Sequence, residues 1–157
     1  MPNYPVRNSV KALIWNDGKL LAVRLEPKDK APFYVLPGGG QELAENFHET
    51  LHRECREELG AEIEIGELVL VREYIGRNHE FADTDYDYHQ AEFMFECRLM
   101  TPLGSLKEHN PDVDQVGFFW LDPSDPELFP HVLAKCFDKD GKRICPLYIG
   151  DVNYIKK

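Results

Sequence analysis

Residues 37–61, PGGGQELAENFHETLHRECREELGA, constrain the chain more than any other stretch. Gly38, Gly39 and Gly40 predict a turn that runs into a helix starting near residues 44–46 and ending at Leu59, with Gly60 placed to cap it. Ala44, Phe47, Leu51, Cys55 and Leu59 recur at spacings of three and four, an apolar stripe for packing on a sheet. Beside that stripe stand Glu54, Glu57 and Glu58. At about 100° per residue they fall within an arc of roughly 100° on one side of the helix. Like charges so close repel unless something neutralises them, and a divalent cation does so because hard ions take carboxylate oxygens. Arg53, four residues before Glu57, can pair with it along the helix.

The rest of the chain supplies the sheet. Residues 6–15 and 19–25 read as two strands joined by Asn16-Asp17-Gly18, where Asp-Gly suits a tight hairpin turn. Residues 26–32 read as a loop, and 33–36, FYVL, as a short buried strand ended by Pro37. Residues 62–75 alternate and are rich in β-branched side chains, with Gly66 predicting a bend or bulge. Residues 76–88 form a polar, acidic loop, 89–100 and 115–121 two further strands, and 101–114 a loop between them. Residues 122–133 predict a turn and a short helix starting near Pro126-Glu127, and 143–148 a last strand. Strands in runs with helices set apart predict an α+β sandwich, a mixed sheet covered by helices, over one domain spanning 1–157.

Charge and cysteine usage exclude several classes. The net charge of −10 leaves no general affinity for a nucleic-acid backbone, although a bound metal would locally reverse the field for a small phosphorylated ligand. No apolar run is long enough to span a membrane, and residues 1–10 lack the layout of a signal peptide, so a cytoplasmic protein is expected. Cys55, Cys97, Cys136 and Cys145 contain no C-x-x-C pair, which argues against a zinc site. Cys136 and Cys145 flank a predicted turn and can approach each other, reduced in the cytoplasm.

Gly39 is followed by five residues and Glu45, then by seven residues and Arg53-Glu54-Cys55-Arg56-Glu57-Glu58-Leu59-Gly60-Ala61. This spacing resembles the Nudix box, G-x5-E-x7-R-E-U-x-E-E-x-G-U, with U an apolar residue. Every fixed position matches; Cys55 and Ala61 stand where larger aliphatics are more common. A bare charge run usually just solvates a helix face, but the glycine and the fixed spacing argue against that here. The resemblance implies a Nudix-type α/β/α sandwich with a mixed sheet and a loop-helix-loop. It implies a Mg²⁺- or Mn²⁺-dependent hydrolase (MutT-like) in which Glu54, Glu57 and Glu58 are metal ligands, or two are ligands and one the base. The Gly39 carbonyl is a further ligand on the same likeness, and Glu45 with Arg53 a structural ion pair. The chemistry agrees: cleaving a phosphoric anhydride needs a water nucleophile and a sink for charge on oxygen, and divalent ions supply both.

Family members also recruit a carboxylate from a later loop as ligand or base; Glu108, Asp112 and Asp114 are the candidates. Substrate markers are sparse. The proline, tyrosine and upstream signatures of some ADP-ribose, diadenosine polyphosphate and coenzyme A hydrolases are absent. The expected substrate is a small nucleotide: a nucleoside diphosphate linked to another group, such as ADP-ribose. The alternative is a (d)NTP of the nucleotide-pool-sanitising type, and a non-catalytic nucleotide sensor comes after both. Arg24, Arg72 and Arg77 are candidate phosphate clamps, and Phe33, Tyr74 and Tyr86 candidate base-stacking rings. A homodimer is consistent with the family resemblance.

Overall fold

The computed structural model describes residues 5–102 and 115–152. In chain order the elements are β1 (Arg7–Asn16), β2 (Lys19–Leu25), β3 (Phe33–Val35), β4 (Gly38–Gly40), α1 (Phe47–Leu59) and β5 (Ile63–Ile75). A 3-10 turn (Gly76–Asn78), α2 (Ala82–Asp85), β6 (His89–Leu99), β7 (Gln115–Leu121), β8 (Leu128–Phe129) and α3 (Leu133–Cys136) follow.

Strand alternation sets the layers. On β1, Val10, Ala12 and Ile14 enter one apolar cluster while Leu13 enters another; on β2, Leu21 and Val23 join the first, Leu20 and Ala22 the second. A sheet apolar on both faces needs cover on both. Leu51, Cys55 and Leu59 of α1 close the first face, and Val132, Leu133, Cys136 and Phe137 around α3 close the second. The result is the expected α/β/α sandwich.

The sheet is mixed and curled. β1 runs parallel to β6, antiparallel to β4, and turns into β2 through Asp17 (φ 51°) and Gly18 (φ 76°). β5 continues beyond β6; β2 pairs antiparallel with β3 and β7, and β3 runs parallel to β8. The β5–β6 register slips between Ile65 and Leu68, so Gly66 marks a bulge as expected.

Four expectations need correction. Gly38–Gly40 is a strand on β1, because its backbone satisfies β1; the chain turns later, through Ala44. Ala44 is exposed at φ 70° and lies outside the helix, so it is no part of the packed stripe. Residues 128–129 pair with β3, which delays the C-terminal helix to Leu133. Residues 143–148 form isolated bridges, Phe137 with Arg143 and Val71 with Tyr148, and no strand. The 76–88 loop also contains short helical turns. Cys136 and Cys145 lie within hydrogen-bonding reach as free thiols. Among the described residues no helix is long and apolar enough to cross a membrane.

Candidate active site

The helix that carries the acidic residues is fixed at both ends. Asn46 accepts from the Glu49 amide at 2.8 Å while the Glu49 side chain accepts from the Asn46 amide, a capping box. Gly60 ends α1 in the left-handed conformation (φ 60°, ψ 30°), its N–H donating to Arg56 and Cys55 carbonyls. With both ends held and Leu51, Cys55 and Leu59 buried, the rotation of α1 is set, and so is the direction of its acidic side.

Arg53 is the hub of that side. Its guanidinium donates to both oxygens of Glu45, at 2.7 and 3.0 Å, to the Gly40 carbonyl at 3.1 Å, to Glu54 at 2.9 Å and to Glu57 at 3.4 Å. Glu45 also accepts from the Thr50 hydroxyl and the Glu42 amide. The hydrogen bonds from Arg53, then that from the Glu42 backbone, hold the Glu45 carboxyl at about 2. On Glu54 burial pushes the carboxyl up, Arg53 pulls it down, and burial wins. Glu58 is buried and accepts from the Gly38 amide at 2.8 Å.

The glycines let this helix reach the sheet. A Cβ at Gly39 would stand 2.5 Å from Glu54 Oε1; one at Gly38 would stand 2.0 Å from the Val10 carbonyl and 3.0 Å from Lys11 Cδ. Glu54 therefore lies on one side of β4 and Lys11 on the other, with only backbone between them.

Beyond Lys11 opens a cleft of about 500 Å³. Alternate residues of β1, β5 and β6 line it: Lys11, Met94, Glu92, Gln90, Arg72 and Tyr74. Phe33, Phe81 and Phe129 also line it; their ring centroids are 4.8, 5.1 and 5.8 Å apart. Arg72 and Glu92 form a buried ion pair, and Gln90 donates to Glu92 at 2.9 Å. Burial pushes Glu92 up, but Arg72 and then Lys11 outweigh it and keep the carboxyl below its usual range. A concave site of this size, with an aromatic wall and charged groups set beside it, suits a nucleotide-sized ligand.

The structure brings Gly39, Glu45, Arg53, Glu54, Glu57 and Glu58 together around β4 and α1. Of the three candidate arginine clamps, Arg72 lines the cleft; Arg24 pairs with Glu26 and the Tyr34 hydroxyl, and Arg77 stacks over Tyr86. Phe33 and Tyr74 line the cleft, whereas Tyr86 is exposed. Glu108, Asp112 and Asp114 lie outside the described residues. Sequence reasoning passed over Lys11, Phe81, Glu92 and Phe129. Lys11 left a trace, a lone charge in the apolar run VKALIW; the others could not be placed before the topology was known.

An all-oxygen set of carboxylates and a backbone carbonyl suits a hard divalent cation. Among the described residues no three Asp, Glu, His or Cys side chains converge as a ready cage; Arg53 pairs with Glu54 and Glu57, and the Gly38 amide donates to Glu58.

A family model described as a NUDIX domain matches residues 5–140. The chain belongs to the NUDIX family. The CTP pyrophosphohydrolase of Escherichia coli (strain K12) is 45% identical over 71 residues, 43% of this chain and 53% of that protein. The match thus spans about half the length of that curated relative. A NUDIX hydrolase from Nitrosomonas europaea superposes with a TM-score of 0.68 at 20% identity, covering 88% of this chain and 92% of that one. An ADP-ribose pyrophosphatase from Streptococcus suis 89-1591 gives 0.59 at 18% identity, covering 94% and 100%. At such identities the two structures speak for the Nudix fold.

Proposed function

We propose that this NUDIX protein is a divalent-metal-dependent pyrophosphohydrolase that splits a phosphoric anhydride in a nucleoside diphosphate linked to another group, such as ADP-ribose. The observation that carries the reading is the contact of Glu54 with Gly39, on the opposite side of a side-chain-free strand from an aromatic-walled cleft. Glu54, Glu57 and Glu58, with the Gly39 carbonyl, would hold Mg²⁺ or Mn²⁺. Such an ion supplies an acidified water and stabilises charge developing on the phosphate oxygens. Arg53 orients Glu54 and Glu57, and its bidentate bond to Glu45 fixes the approach to the helix. Phe33, Phe81 and Phe129 offer faces for a base and keep water from that end of the cleft.

The CTP pyrophosphohydrolase relative favours a second reading, a (d)NTP pyrophosphohydrolase acting in the same cleft. One screen separates them: ADP-ribose, NDP-sugars, NADH, dinucleoside polyphosphates and (d)NTPs, each with Mg²⁺ and with Mn²⁺, and Glu57→Gln as control. Turnover of one class, lost in the variant, supports the enzyme and names its substrate. A folded protein that turns over none of them while still binding nucleotides would sink the hydrolase reading and leave a nucleotide sensor.

A further inference from the structure

We infer that Lys11 is the phosphate anchor of the cleft, holding the phosphate next to the nucleoside while the α1 carboxylates act on the neighbouring anhydride. The inference rests on the pyrophosphohydrolase reading and adds the residue that fixes where along the phosphate chain the carboxylates act.

The argument starts from the pleat. Val10 and Ala12 point into the cluster under α1, so Lys11 between them must point to the opposite face. There it stands in register with Gly38 on one side and Met94 on the other, in the lining of the cleft. Side chains on β4 would fill the space beside it; glycine leaves its stem against the Gly38 backbone, with Cδ 3.0 Å from where a Cβ would be. Its charge reaches Glu54 on one side and Glu92 on the other.

The nearby arginines are otherwise committed. Arg53 binds four acceptors, and Arg72 is neutralised by Glu92. Lys30 sits 4.3 Å over the Phe81 ring. Lys11 is half-buried and makes no ion pair within 4 Å among the described residues. A partly desolvated ammonium beside a side-chain-free strand calls for an anion, and a compact point charge suits a phosphate oxygen. Lys11 lines the same cleft as the aromatic wall while its charge reaches Glu54, so an oxygen it holds would link a base on that wall to an anhydride near the carboxylates.

The test is binding without metal. ADP, CDP, adenosine and cytidine are titrated in EDTA against wild type, Lys11→Gln, Lys11→Met, Lys11→Arg and Arg7→Gln, with a thermal melt of each. Arg7 is the charge control: it lies on the same side of β1 against Gly40, but outside the cleft lining. We expect Lys11→Gln and Lys11→Met to weaken diphosphate binding about tenfold or more, as loss of a charge-assisted hydrogen bond does. Nucleoside binding stays within twofold, Lys11→Arg recovers part of the loss, and Arg7→Gln loses less. Unchanged diphosphate affinity in both neutral variants overturns the assignment, as does an equal loss in Arg7→Gln, which would mean a diffuse field. If wild type binds diphosphates through Lys11 but hydrolyses no nucleotide, the anchor stands and the hydrolase reading fails. If wild type hydrolyses nucleotides and Lys11→Gln binds them normally, the reverse holds.

Discussion

Replacing Gly39 by alanine separates function from folding. The Gly39 backbone is not in the left-handed region, so an L-residue fits its conformation. The new Cβ would stand 2.5, 2.6 and 2.8 Å from Glu54 Oε1, Cδ and Oε2, whereas ordinary contact begins at 3.4 Å. The carboxylate must therefore retreat by about 0.9 Å. It is the end of a flexible side chain, so the retreat costs the 2.9 Å bond from Arg53 and little else. That is about 0.5–1.5 kcal/mol, offset by roughly 0.4–1 kcal/mol from a stiffer unfolded chain. The melting temperature then moves by no more than about 4 °C. Catalysis is less tolerant: a misplacement of about 1 Å at a reacting centre can cost roughly a hundredfold. We expect kcat/KM of Gly39→Ala to fall about a hundredfold on whichever nucleotide wild type hydrolyses, with a near-native melt. Gly38→Ala is the contrast, because its Cβ meets the Val10 backbone carbonyl at 2.0 Å at φ 139°, and it should lose stability as well as activity. Activity of Gly39→Ala within threefold of wild type, or a melt lowered as far as that of Gly38→Ala, would refute the reasoning.

Arg53→Gln should remove an acid-sensitive contribution. The Glu45 carboxyl is held at about 2 against an ordinary 4.5, so its stabilisation is present above 4.5 and is lost as pH falls through 2. The gap in melting temperature between wild type and variant should close across that window, and a constant gap from pH 5 to 2 would contradict it. Cys55, Cys97 and Cys136 are buried and Cys145 is half-buried, so maleimide at pH 7 should label one thiol of the native protein, absent in Cys145→Ser, read by mass spectrometry. Mn²⁺ at a hundredfold excess over its Kd should stabilise by about 2.7 kcal/mol, roughly 5–11 °C in the melt. Chelator should reverse the shift and Glu57→Gln should shrink it; an unmoved melt at saturating Mn²⁺ counts against α1 as the ligand helix.

The parts of the site that depend on short-range geometry were legible in the sequence. Steps of one, three and four along a helix determine which side chains share a side, so Glu54, Glu57 and Glu58 could be grouped before any fold was known. Arg53 and Glu45, eight residues apart across the helix start, came only with the family spacing. Glycine is where reading failed in kind: Gly38–Gly40 looked like a turn because glycine favours turns, yet it forms a strand. That glycine lets other groups approach the backbone was legible, but which groups do so, Glu54, Lys11 and Arg7, depends on elements brought together by the fold. The short β8 pairing was hidden likewise, because two residues carry no periodicity and their partner strand lies nearly a hundred residues earlier.

The placement of Lys11 follows from the same constraint that places the glutamates. A strand of β1's kind, apolar on both faces, admits a charge only where cover is missing. Cover is missing over Lys11 because the space above that part of the sheet is cleft, and beside it because β4 has no side chains. Filling β4 with alanine would close the space on both sides at once, pressing Glu54 from one face and Lys11 from the other. Gly38 and Gly39 therefore serve the anchor and the carboxylates jointly, while Gly40 leaves room for Arg7. A side chain at Gly39 should be felt first at Glu54, whereas one at Gly38 meets the Val10 carbonyl and then Lys11, so Gly39→Ala should lose turnover with metal while keeping diphosphate binding without it, and Gly38→Ala should lose both.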